Sequence, residues 1–171
     1  AISNWMKKRA NSSSVLKNKP ISVIYSGINV DKFKIVNKDK AREFYNFPKD
    51  KKIILIGAGN LRESYKGYKY VISSLNRLDN EYLVVTFGSG QIFQNEIPQK
   101  ILNLGFIRIE KELAKLYNSA DVFFAPSTAE AFGKTFAEAQ ACGLPVVCFE
   151  ETGPADIIEH LKSGYLAKFK D

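Results

Sequence analysis

From about position 53 onward, short apolar runs alternate with stretches whose apolar residues recur every three or four positions. The runs suit strands buried on both faces, and the wider spacing suits helices that cover them. The pattern predicts strands over 22–25, 52–56, 82–87, 101–104, 121–125 and 145–149, and a short further strand at 164–166 near the sheet edge. Helical stripes come from Tyr68, Val71, Ile72, Leu75 and Leu78, and again from Leu113, Leu116, Tyr117 and Ala120. A short helix around Trp5 and Met6, a polar helix near 40–45 and a helix that begins near Gly133 complete the reading. Strands and helices alternating in this way specify an α/β fold, a Rossmann-like parallel sheet flanked by helices.

Small and polar residues collect at 57–62, 88–90, 105–108 and 126–130, each directly after a predicted strand. The carboxyl ends of the strands form the ligand crevice of an open parallel sheet, so these loops are expected to converge on one site. Segment 27–34 has turn chemistry and reads as a linker into the sheet.

Composition narrows the class. With 171 residues, 45% of them hydrophobic, the chain can build one core and is too short for two full α/β domains. It has no stretch of roughly 18 apolar residues that would suggest a membrane span, and its first residues lack a signal-peptide run, so a cytoplasmic location is expected. The formal charge of +7 permits an anionic partner or the inner face of a membrane. The basic residues lack an interleaved aromatic platform or zinc-ligand spacing, which argues against nucleic acid. Cys142 and Cys148 flank Gly143 and Pro145, at a helix end and a buried strand, and are expected as buried free thiols.

The chemistry concentrates in Glu130 and Glu138, which frame Glu-Ala-Phe-Gly-Lys-Thr-Phe-Ala-Glu. A helix starting at Gly133 presents amides without intrahelical acceptors and the positive end of its dipole, so Gly133, Lys134 and Thr135 can receive phosphate oxygens. Glu138, about 7.5 Å along that helix, can accept two hydroxyl hydrogen bonds, as from a ribose. Glu130 lies in the loop before the helix, free to bind sugar hydroxyls. Lys66, before Gly67 at a second helix start, can neutralise a diphosphate, with Arg62 as a bidentate assistant. Gly57-x-Gly59 fails as a dinucleotide fingerprint, because Arg62 stands where its third glycine is needed, and Lys66-Gly67-Tyr68 is not a P-loop.

Taken in order, Val23 to Phe33, the glycine loop ending Lys66-Gly67, Leu116-Tyr117 with Ala120-Asp121-Val122, Pro126-Ser127, Glu130 to Val147, Thr152-Gly-Pro and Gly164-Tyr-Leu resemble the C-terminal, nucleotide-sugar-binding domain of GT-B retaining glycosyltransferases of family four. The resemblance implies that Glu130 contacts the donor sugar near the reacting centre, that Phe132 to Thr135 hold sugar and phosphate, that Glu138 binds the ribose and that Lys66 grips the diphosphate. Phe106, Ile107 and Arg108 would border the base. Where many members carry a basic residue against the diphosphate, this chain has Asn60 and Leu61, with Arg62 one step later. Residues 1–19 resemble the tail of an N-terminal domain, 20–171 the donor domain, and a return helix is expected beyond Asp171. By the same resemblance the donor is a UDP or GDP sugar and the acceptor a saccharide or lipid-linked sugar of cell-surface polysaccharide synthesis, bound through an N-terminal half. No cofactor is implied, and no metal, since no Asp-x-Asp or histidine cluster offers a cage. His160, which follows Ile157-Ile158-Glu159 toward a helix end, is expected to be structural or solvated. A sugar-nucleotide epimerase or phosphorylase of the same fold, or a non-catalytic nucleotide-sugar module, stays open. Residues 1–171 alone are expected to bind nucleotide without turnover.

Overall fold

The computed structural model describes residues 1–169; the expected chain end at Lys170 and Asp171 lies outside them. Its elements in chain order are α1 (Asn4–Asn11), α2 (Lys38–Phe44), β1 (Ile53–Asn60), α3 (Tyr68–Leu75), β2 (Leu83–Ser89), β3 (Lys100–Asn103), α4 (Glu110–Ser119), β4 (Val122–Phe124), α5 (Lys134–Ala141), β5 (Val146–Phe149) and β6 (Gly164–Ala167). All strands pair in parallel in the order β3-β2-β1-β4-β5-β6. This is the doubly wound arrangement, in which the strand order reverses between β1 and β4 and a crevice opens there.

The alternation along β1 explains why the sheet is covered on both faces. Ile53 and Leu55 point into a cluster with Phe87, Leu116, Tyr117, Phe123 and Phe136, whereas Ile54 and Ile56 meet Val71, Leu75, Val84 and Ile92. Burying each such aliphatic side chain stabilises the fold by roughly 2 kcal/mol. Cys142 and Cys148 are free and buried, and burial pushes both thiols up to about 12, so they stay protonated and unreactive at neutral pH.

Three expectations need correction. Segment 22–25 is extended but belongs to no strand, and Ile24 is 77% exposed. Its apolar residues have no sheet neighbour, and Ile24 N–H is bonded instead to the Ala1 carbonyl at 2.8 Å. Positions 57–60, read as loop, continue β1, because glycines and alanine still pair with β2 through a bulge between Ala58 and Asn60. His160 follows a short 3-10 turn, Gly153–Asp156, and not an α-helix. Its Nδ1 accepts the Leu166 N–H at 3.1 Å, fastening the β6 edge.

Candidate functional site

A cleft of about 150 Å³ opens at the β1/β4 switch point, between the end of β1 at 57–59, the segment after β4 and the start of α5. Lys66, Glu130, Gly133, Lys134 and Thr135 line it together, although Lys66 is far from the others in sequence. Close backbone packing makes that convergence possible. Gly67, with φ 76°, precedes α3, and a Cβ there would lie 1.9 Å from the Pro126 carbonyl oxygen. The Thr128 N–H donates to the Tyr65 carbonyl at 2.7 Å, so the turn carrying Lys66 is pinned to the loop that leads to Glu130.

The Lys66 ammonium donates to Glu130 Oε2 at 2.7 Å, with both side chains less than a fifth exposed. Glu130, read from sequence as free for sugar hydroxyls, is therefore already paired. Gly133, with φ 88°, is the N-cap of α5, and among the described residues no side chain caps that end. The first helical hydrogen bond runs from Phe136 N–H to the Gly133 carbonyl at 3.0 Å, so the amides of Lys134 and Thr135 face the cleft end of the helix dipole.

Glu138 lies farther along α5, half-buried, where the Tyr117 hydroxyl donates to its Oε2 at 3.0 Å. Burial raises its pKa from the ordinary glutamate value; the Tyr117 hydrogen bond and the Lys134 charge work against this, and Glu110 adds to it. Burial likewise lifts the Tyr117 hydroxyl well above its ordinary value. Tyr117 therefore stays a donor and orients the carboxylate. The helical stripe marked Tyr117 as core only; its spacing carries no sign of this contact, since Glu138 is on another helix.

Other expected contacts fall outside the cleft lining. Arg62 bonds the Gln91 carbonyl at 2.9 Å and Glu96 at 3.0 Å, and its guanidinium lies 4.0 Å from the Tyr68 ring centroid. Asn60 accepts the Arg62 N–H through Oδ1 at 3.0 Å. Glu96, bonded by Phe93 N–H, the Tyr68 hydroxyl and Arg62, is held below its ordinary pKa despite partial desolvation. Phe132 is buried against Tyr25, with ring centroids 6.1 Å apart. On the loop after β3, Phe106 is 69% exposed, Arg108 is exposed and Ile107 packs toward the core. Among the described residues no group of three or more His, Cys, Asp or Glu is placed to hold a metal, and no helix is long and apolar enough to cross a membrane.

Residues 37–171 match the family model of glycosyl transferases group 1. An uncharacterized glycosyltransferase of Methanocaldococcus jannaschii is 33% identical over 178 residues, covering 95% of this chain and 45% of that protein. The Staphylococcus aureus capsular polysaccharide biosynthesis glycosyltransferase CapM is 23% identical over 188 residues, covering 100% of this chain and 48% of that protein. Among solved structures, Anabaena HepE in complex with UDP and glucose superposes with a TM-score of 0.75 at 21% identity, over 98% of this chain and 48% of that one. The chain spans about half the length of the curated relatives it matches. With its parallel sheet in the order described, the chain belongs to the group 1 glycosyltransferases and has the fold of the C-terminal half of the GT-B architecture.

Proposed function

We propose that this chain is the donor half of a retaining glycosyltransferase, binding a nucleoside diphosphate sugar, with UDP or GDP as the nucleotide, for transfer to a saccharide or lipid-linked acceptor. The observation that carries the reading is the Lys66–Glu130 ion pair across the switch-point cleft, directly before the uncapped start of α5. A diphosphate seated on the Lys134 and Thr135 amides would compete for the Lys66 ammonium. Glu130 would then be released toward the sugar hydroxyls, so that donor binding itself arms the acid beside the reacting carbon. Negative charge grows on the diphosphate as the glycosidic bond to it breaks. Lys66 and the helix amides stabilise that charge more in the transition state than in the ground state, which is what accelerates the step. These groups do the electrostatic work without a cofactor.

Glu138, oriented by Tyr117, accepts the ribose hydroxyls, and the loop 105–108 borders the base. Arg62 reaches the diphosphate only by leaving Glu96 and the Tyr68 ring. HepE, solved with UDP and glucose, supports a uridine donor, and the CapM relative supports polysaccharide as the product class. The setting we assign is the cytoplasm, with the net charge of +7 favouring contact with the inner face of an anionic membrane.

Calorimetric titration with UDP-, GDP- and ADP-glucose tests the reading. One nucleotide sugar is expected to bind, and Lys66→Ala and Glu138→Ala are each expected to weaken it about tenfold, or roughly 1.4 kcal/mol. Unchanged affinity in both variants would sink the site.

A further inference from the structure

A second cavity, of about 820 Å³, lies between α1 and segment 150–156. That volume is within the range of small-molecule sites, roughly 300–1,000 Å³. Trp5, Lys8 and Arg9 line it from α1, and Glu150, Glu151 and Asp156 from the opposite wall. Asp156 accepts the Asn4 backbone N–H at 2.5 Å, which ties the start of α1 to the opposite wall. The Arg9 guanidinium lies 4.9 Å from the Trp5 ring centroid, holding the indole in place.

The 3-10 turn Gly153–Asp156 lines this cavity through Ala155 and Asp156 and packs behind Glu130 and Gly133 of the switch-point cleft. Gly153 N–H donates to the Glu130 carbonyl at 2.8 Å, and a Cβ added at Gly133 would meet Pro154 at 3.1 Å. A second connection runs from Asn4, whose Nδ2 donates to the Tyr25 hydroxyl at 2.9 Å, to the Tyr25 ring resting on Phe132. The lining chemistry is that of carbohydrate recognition. Carboxylates accept paired hydroxyls, the Trp5 ring, overlain by Arg9 on one face, adds apolar surface for the C–H groups of a pyranose, and the cations tolerate an acidic substituent. A diphosphate is disfavoured, because the carboxylates of Glu150, Glu151 and Asp156 would repel it.

We propose that this cavity is a saccharide subsite, holding the acceptor one or two sugars back from the end that reaches over the turn to Glu130. The acceptor role rests on the donor reading above; saccharide binding does not. Trp5 is the sole tryptophan of the chain and lines this cavity, so its emission reports on the surroundings of that one side chain. The test titrates the 171-residue chain with maltotriose, N,N′-diacetylchitobiose and trigalacturonate, following Trp5 emission, with UDP- and GDP-glucose titrated by calorimetry in parallel.

At least one saccharide is expected to change the emission saturably, half-maximally at about 1 mM or below, and a Glu150→Gln/Glu151→Gln double variant to weaken this at least about fivefold. Both glutamates are exposed, so the double variant keeps the fold. If none of the saccharides changes the emission while acrylamide still quenches Trp5, or if the double variant titrates unchanged, the proposal is overturned. If a saccharide binds but neither nucleotide sugar does, the donor reading fails separately; the saccharide site stands and its acceptor role is withdrawn.

Discussion

Glu138, the proposed partner of the ribose hydroxyls, is a half-buried carboxylate held at some expense to stability. Burial raises its pKa, so the folded chain holds the Glu138 proton more tightly than the unfolded chain does. Stability from this group therefore falls as pH rises from the ordinary carboxylate range through the raised folded value. Glu138→Gln removes the buried charge and keeps an acceptor for Tyr117. At pH 7 its Tm is expected to exceed that of the parent by about 2 °C, with the gap closing as pH falls to about 3, where Glu138 is protonated in both states. Nucleotide affinity is expected to fall in the same variant. Thermal melts at the two pH values, paired with calorimetry, check both halves; a lower Tm at pH 7 contradicts the argument.

At the scale of the element, the start of α5 is where the proposed donor diphosphate would sit. Gly133 holds φ 88°, and a Cβ there would lie 2.5 Å from the Phe136 ring as well as close to Pro154. Gly133→Ala combines left-handed strain with this clash and is expected to cost about 1–3 kcal/mol in urea unfolding. Nucleotide affinity is expected to drop as well, because the Lys134 and Thr135 amides move with the helix end. The start of this helix was legible in sequence, since a glycine before an amphipathic stretch is a local signal. The same local reading failed at 22–25. Those residues have strand-like character, but a strand also requires a neighbour, and the sheet gives them none.

At the scale of the whole molecule, Asp121 ties the end of the sheet opposite the crevice. It accepts from Arg42 and Lys38, each at 2.8 Å, and from the Ile53 N–H at 2.7 Å, joining α2, β1 and the entry to β4. Burial would raise its pKa, but the Lys38 and Ile53 hydrogen bonds and the charges of Lys38 and Arg42 outweigh burial and lower it. A lowered carboxylate stabilises the fold above its unfolded pKa, and this contribution is lost as pH falls through the folded value. Asp121→Asn leaves Arg42, a buried cation, without its counter-charge. The expected loss is about 3 kcal/mol in denaturant unfolding, with the affinity of the remaining folded protein for nucleotide unchanged. A large affinity loss in folded protein would show that the two ends of the sheet are coupled.

The order of strands and helices after position 53, and the placement of Glu130, Glu138, Lys66 and the start of α5 after particular strands, were determined by the sequence alone. Burial period, helix starts and loop composition are properties of neighbouring residues, so they survive without a fold. Which of those groups meet was decided by tertiary structure. Placing β1 beside β4 joins Lys66 to Glu130 across 64 positions, packing α4 against α5 sets Tyr117 on Glu138, and the turn of Arg62 toward Glu96 depends on the loop after β2. The cavity beneath α1 exists only because that helix docks on the Gly153–Asp156 turn. Contacts between distant segments follow from strand order and packing, and neither is written in any local stretch of the chain.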